Sequence, residues 1–142
     1  MTVRDHKATE KRIAAVFGTD SVPEVGKKTL QIYRAYLLQH VAEETVLTGR
    51  EDFLWEEFYV FGPGDKKEYE ELKQTRPSYT DDFAFTDILK KTIDDHDLIA
   101  EVKRLSDGKK FEIGLSWLTT KKKKTEAYQV LDDFATWIVN WQ

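Results

Sequence analysis

The sequence predicts an α+β protein in which N-terminal helices pack on a small antiparallel sheet or partly open barrel. Helical spacing of apolar residues prevails over residues 1–48, and strand-like alternation prevails over residues 49–142. Tight turns, not crossover helices, separate the later strands. A chain of 142 residues fits one domain with one sizeable core.

Thr9–Phe17 comes first: Ile13, Val16 and Phe17 share a helical face, Thr9 is placed to cap it, and Gly18 to end it. Gly18–Gly26 is turn chemistry around Pro23. Lys27–Val41 is the most regular helix, with Leu30, Tyr33, Leu37 and Val41 at three- and four-residue steps and Tyr36 and Leu38 widening the stripe. Thr45–Thr48 reads as a short strand before Gly49.

From Phe53 to Phe61 the expectation is a strand with both faces partly covered. Phe53, Trp55, Tyr59 and Phe61 fall on one parity, and Leu54, Phe58 and Val60 on the other. Gly62-Pro63-Gly64 stops it. Asp65–Gln74 then predicts a short surface helix seated by Tyr69 and Leu72, and Thr75–Tyr79 a turn around Pro77.

Phe83 and Phe85 suggest another strand. The clearest hairpin follows, with Leu98, Ala100 and Val102 alternating against Ile99, Glu101 and Lys103. Ser106-Asp107-Gly108-Lys109 supplies the turn, and Phe111, Ile113 and Leu115 alternate on the return. Thr125 to about Phe134 keeps helical spacing, and the strand formers after it (ATWIVNW) predict a final strand. Trp55, Trp117 and Trp137 are expected in the core, with Trp141 docked at the end.

Composition narrows function. The net charge of −4 makes the whole chain no magnet for nucleic acid. No apolar run is long enough for a membrane span, and residues 1–12 are too polar for a secretory leader. Zero cysteines exclude disulfides and thiolate chemistry and fit a cytoplasmic setting.

Catalytic patterns are missing. Ser21–Thr29 lacks the first glycine of a phosphate loop, and Lys28 sits where its hydroxyl belongs. Gly114–Leu118 lacks the second glycine of a nucleophile elbow around Ser116. His6, His40 and His96 have no ligand-like spacing. His40, followed by Glu43 and Glu44, reads as a surface histidine near a helix C-terminus. Glu56 and Glu57 would point to opposite faces of a strand, one of them partly buried beside Trp55 and Phe58. The expectation is a protein without enzymatic activity and without catalytic residues.

Charge is unevenly placed. Residues 81–101 carry seven acids against Lys90 and Lys91, and residues 102–124 carry eight bases against Asp107 and Glu112. The acidic block is densest at Asp94, Asp95 and Asp97, which could supply part of the oxygen shell of a calcium ion. An EF-hand loop is excluded, because Ala100 stands where its glycine belongs and Ser106 where its glutamate belongs. Lys121, Lys122, Lys123 and Lys124 form a candidate anion or partner surface. Few aromatic residues interleave with them, which argues against nucleic acid.

Three stretches also carry a resemblance: Leu30–Gly49 (LQIYRAYLLQHVAEETVLTG), Asp97–Leu118 (DLIAEVKRLSDGKKFEIGLSWL) and Leu131–Trp137 (LDDFATW). In that order they resemble small bacterial proteins grouped with the cyanobacterial acidic calcium-binding protein family. Trp55–Tyr79 is similar to uncharacterised bacterial proteins. The resemblance implies a compact helix-plus-barrel domain that binds calcium through surface carboxylates in a buffering or sensing role. This chain departs from it in being only mildly acidic and in its lysine run. The choice of Asp94, Asp95 and Asp97 comes from their spacing.

The sequence therefore points to a binding protein, with weak calcium binding as its concrete form. The alternative is a metal-free protein-interaction or adaptor domain with an unidentified protein partner. The oligomeric state stays open.

Overall fold

The computed structural model describes residues 3–142. Its elements are α1 (Val3–Phe17), α2 (Lys27–His40), β1 (Val46–Gly49), α3 (Glu57–Val60), α4 (Lys66–Leu72), β2 (Phe83–Ile93), β3 (Asp97–Arg104), β4 (Lys110–Gly114), β5 (Leu118–Thr120) and α5 (Glu126–Asn140). Single 3-10 turns at Leu54–Glu56 and Leu115–Trp117 lead into α3 and β5. The class is α+β, as the sequence predicts. The sheet is an open antiparallel one in the order β4-β3-β2-β1-β5, not a barrel.

The helix ends follow local chemistry. Gly18 closes α1 in the left-handed region at φ +66°. Thr9 does not cap α1 but lies inside it, buried, with its hydroxyl accepting from Arg12 Nη2 at 3.2 Å. At the start of α2 the Gly26 amide donates to Thr29 Oγ1 at 2.9 Å. Thr125 caps α5 by accepting from the Tyr128 amide at 3.1 Å.

α1, α2 and α5 pack against one another, with α2 on β2 and α5 on β5. One buried cluster runs from Ile13 to Ile138. At its centre Tyr33 and Trp137 sit 4.9 Å apart, ring to ring, and Trp137 Nε1 donates to the Pro23 carbonyl at 2.8 Å. Trp55, Trp117 and Trp141 pack partly buried against this cluster, and the Trp141 carbonyl accepts from the Val25 amide.

Two expected strands are helical. Phe53–Phe61 forms the 3-10 turn and α3, because the Glu56 carboxylate folds back to accept from the Phe53 amide at 3.3 Å and supplies the start of a helical turn. Parity cannot register that bond. The C-terminal strand expected after Phe134 is instead the continuation of α5. Val130, Leu131, Phe134, Trp137 and Ile138 bury one helical face, and that burial outweighs the strand preference of single residues. The part after residue 48 is therefore less strand-rich than expected.

The predicted hairpin stands. Val102 pairs with Phe111 and Ala100 with Ile113, and Gly108 takes φ +75° in the turn. On its other face Glu101 lies opposite Glu112, and Lys103 opposite Lys110. Such like-charge pairs oppose sheet formation.

Residues 50–82 form a long connection between the neighbouring strands β1 and β2. Two buried polar groups fasten it. Glu56, with no exposed surface, accepts from Tyr69 Oη at 2.6 Å, Ser78 Oγ at 2.7 Å, the Tyr79 amide at 2.8 Å and the Phe53 amide. Arg104, 3% exposed, donates to the carbonyls of Lys73, Gln74 and Arg76 and to the carboxylates of Asp81 and Asp107.

Candidate functional site

Asp94 and Asp95 form the tip of the β2–β3 turn, both in the left-handed region at φ +50° and +56°. Aspartate tolerates this conformation better than most residues, so turn geometry alone accounts for two acids in succession. The turn closes through the His96 amide on the Ile93 carbonyl at 2.8 Å, and Asp95 Oδ1 accepts from Thr92 Oγ1 at 3.1 Å. The His96 ring pairs with Gln142 Oε1, and Gln142 Nε2 donates back to the His96 carbonyl at 3.1 Å.

Asp97 is different: its side chain is buried. Its carboxylate accepts from Ser116 Oγ at 2.6 Å, from the Leu98 amide at 2.8 Å and from the Ser116 amide at 3.3 Å. Burial pushes its pKa up to about 6, against the opposing pull of the Ser116 and Leu98 hydrogen bonds. Both of its oxygens are occupied. Among the described residues, no group of three acidic, histidine or cysteine side chains stands where it could hold a metal ion.

Lys121 to Lys124 occupy the exposed turn between β5 and α5. Lys121 Nζ reaches Asp82 Oδ1 at 2.9 Å, while Lys122 lends its carbonyl to Thr120 Oγ1 and Thr125 Oγ1. Lys121 and Lys122 border an open hollow of about 420 Å³ with Val46 and Ala127. His40, the last residue of α2, pairs with neither Glu43 nor Glu44. Its Nδ1 meets Glu126 Oε1 across the α2–α5 junction, and its ring lies 4.2 Å from that of Tyr36.

The surface that stands out is on the 50–82 connection. Leu54, Phe58 and Phe61 are 68%, 55% and 79% exposed. They recur at steps of four and three through the 3-10 turn, α3 and the residue that follows it, the spacing of residues that share a helical face. Below them Trp55, Tyr59 and Tyr69 form a ring cluster, with Tyr59 stacked on Tyr69 at 5.3 Å. Trp55 Nε1 donates to the Pro77 carbonyl at 2.7 Å, and Tyr59 Oη to Glu68 at 2.8 Å. Gly64 lies so close that an added Cβ would stand 2.5 Å from the Tyr59 ring. The other large exposed apolar side chains, Ile32, Val46, Ile93, Leu105 and Val139, each belong to a different part of the fold.

This face was readable as a helical stripe in the sequence, but a strand over the same residues divides it between two sides. The burial of Glu56 and Asp97 carried a weaker signal, their apolar neighbours.

The chain matches no family model, no curated protein and no solved structure in comparisons with known proteins.

Proposed function

We propose that this protein is a non-enzymatic recognition module that docks a protein partner through the face of Leu54, Phe58 and Phe61. One observation carries the reading: a segment showing three large apolar side chains to solvent is itself fixed by two buried polar anchors, Glu56 and Arg104. Scattered exposed apolar residues are ordinary on a protein surface, whereas a rigid apolar face is the form of an interaction surface. The carboxylate of Glu56 is fully engaged in holding the connection. The absence of cysteine suits a cytoplasmic setting. No helix among the described residues is long and apolar enough to cross a membrane.

The test is site-specific photo-crosslinking in the native cell, with a benzophenone amino acid at position 61 or, as control, at exposed position 139. A discrete adduct from position 61 that Phe58→Ser removes is the expected result. Equal adducts from both positions, or none from position 61, would overturn the docking reading.

A further inference from the structure

We infer that the occupant of this face is a basic, apolar protein segment, which sets aliphatic side chains among the rings and lysine or arginine against the surrounding acids; this rests on the docking reading above. Residues 51–71 carry eight acidic side chains and two lysines. Glu56 is buried, but Glu51, Asp52, Glu57 and Asp65 flank the apolar face without a salt bridge among the described residues. Some surface acids do pair with cations, as Asp82 with Lys121, Glu112 with Lys91, Asp132 with Arg50 and, on the connection itself, Glu70 with Lys73. Lys73 and Arg76 offset part of this charge, and residues 51–76 still carry eight acids against four bases.

That charge selects the partner. Anionic lipid and nucleic acid are repelled. A neutral apolar partner would partly dehydrate the acids and return nothing to them. A cationic segment compensates them, and the rings add to the attraction. Lys73 Nζ already sits 4.2 Å from the centre of the Tyr69 ring, and the Arg76 guanidinium 5.6 Å from that of Trp55. A second copy of the chain is a poorer fit, because its Lys121–Lys124 turn is flanked by threonines and has no large apolar side chain to fill the face.

The experiment uses three labelled peptides and fluorescence anisotropy on the full chain. The first is a short amphipathic helix of leucine and lysine, the second replaces lysine by glutamate, and the third scrambles the first so that no apolar face forms. The first is expected to bind saturably, and the others at least about tenfold more weakly. Phe58→Ser combined with Phe61→Ser, both at exposed positions, should weaken the first by about tenfold or more. Raising salt from about 0.05 to about 0.5 M should weaken it several-fold. Glu51→Lys combined with Glu57→Lys should shift preference toward the glutamate peptide. Equal affinity for the lysine and glutamate peptides would overturn the charge inference and leave the docking face standing. Lysine-peptide binding indifferent to the serine substitutions would overturn both. Self-association of the wild-type chain that Phe61→Ser abolishes would overturn the inference in favour of a second copy.

Discussion

The hydroxyl of Tyr69, on α4, donates a 2.6 Å hydrogen bond to the carboxylate of Glu56, which lies in the 3-10 turn ahead of α3. Together with the stacking of Tyr59 on Tyr69, it holds the two short helices in register. Ser78 and the Tyr79 amide bring the returning chain to the same carboxylate. The apolar face is therefore fixed from beneath by a group with no exposed surface.

Removing that group should loosen the connection more than the sheet. Glu56→Ala leaves several donors buried without an acceptor, at a cost of about 2–4 kcal/mol. Tyr69→Phe removes one donor and should cost about 1–2 kcal/mol. Urea unfolding measures both. Hydrogen exchange should show faster amides over residues 53–79 in Glu56→Ala, with β3 and β4 less affected; uniform acceleration would contradict this division.

Asp97 should make the fold more stable in mild acid than at neutral pH. Its folded pKa of about 6 lies above the ordinary value of 3.8, so the folded state binds the proton more tightly. Its stabilising contribution is complete below about pH 3.8 and is lost as pH rises through about 6. The size is of order 2 kcal/mol. Asp107 has the opposite sign: hydrogen bonding to Arg104 holds its pKa at about 2, so its contribution is lost as pH falls through that value. Thermal unfolding should give a higher midpoint at pH 5 than at pH 7.5. Asp97→Asn should flatten that difference, since an asparagine there can accept from Leu98 and face the Ser116 hydroxyl. Ser116→Ala should move the carboxyl titration, read by NMR, still higher.

The facing lysines of the hairpin give a charge prediction. Lys110→Glu replaces a repulsive cross-strand pair with an attractive one opposite Lys103 and should stabilise the protein by about 0.5 kcal/mol. The gain should shrink in high salt. Thermal midpoints at low and high salt measure both effects.

Calcium offers a direct test of the acidic turn. Asp94 and Asp95 are used to form the turn, and the oxygens of Asp97 already accept hydrogen bonds. Calorimetric titration at physiological salt is expected to give no more heat for calcium than for magnesium. Saturable, calcium-selective heat that is lost on changing Asp94, Asp95 and Asp97 together to asparagine would reverse that expectation.

What could be read from the sequence was what is local. Leu98–Val102 and Phe111–Ile113 alternate around an Asp-Gly turn, so one stretch contains its own pairing partner. In α2, Leu30, Tyr33 and Leu37 mark the buried face by spacing alone. The segment around Glu56 depends on Tyr69, Ser78 and Tyr79, distant residues that no short window contains. The acidic turn is only partly legible for a related reason. Charge counts do not distinguish Asp97, which is buried against Ser116, from Asp94 and Asp95, which are exposed at a turn.

The ends of the 50–82 connection leave and rejoin the sheet side by side. Leu47 pairs with Phe83, Thr48 Oγ1 donates to the Asp81 carbonyl at 2.9 Å, and the Gly49 amide donates to that of Tyr79 at 3.0 Å. The pairing of β1 with β2 thus leaves the length of the connection between them unconstrained, and lengthening a loop costs about 0.6 kcal/mol per doubling. The connection behaves as a cassette. Its outward residues can diverge or be exchanged by grafting, provided that Phe53, Glu56 and the groups that receive Arg104 are kept. Variation on the outward face of the connection is uncoupled from the inheritance of the fold.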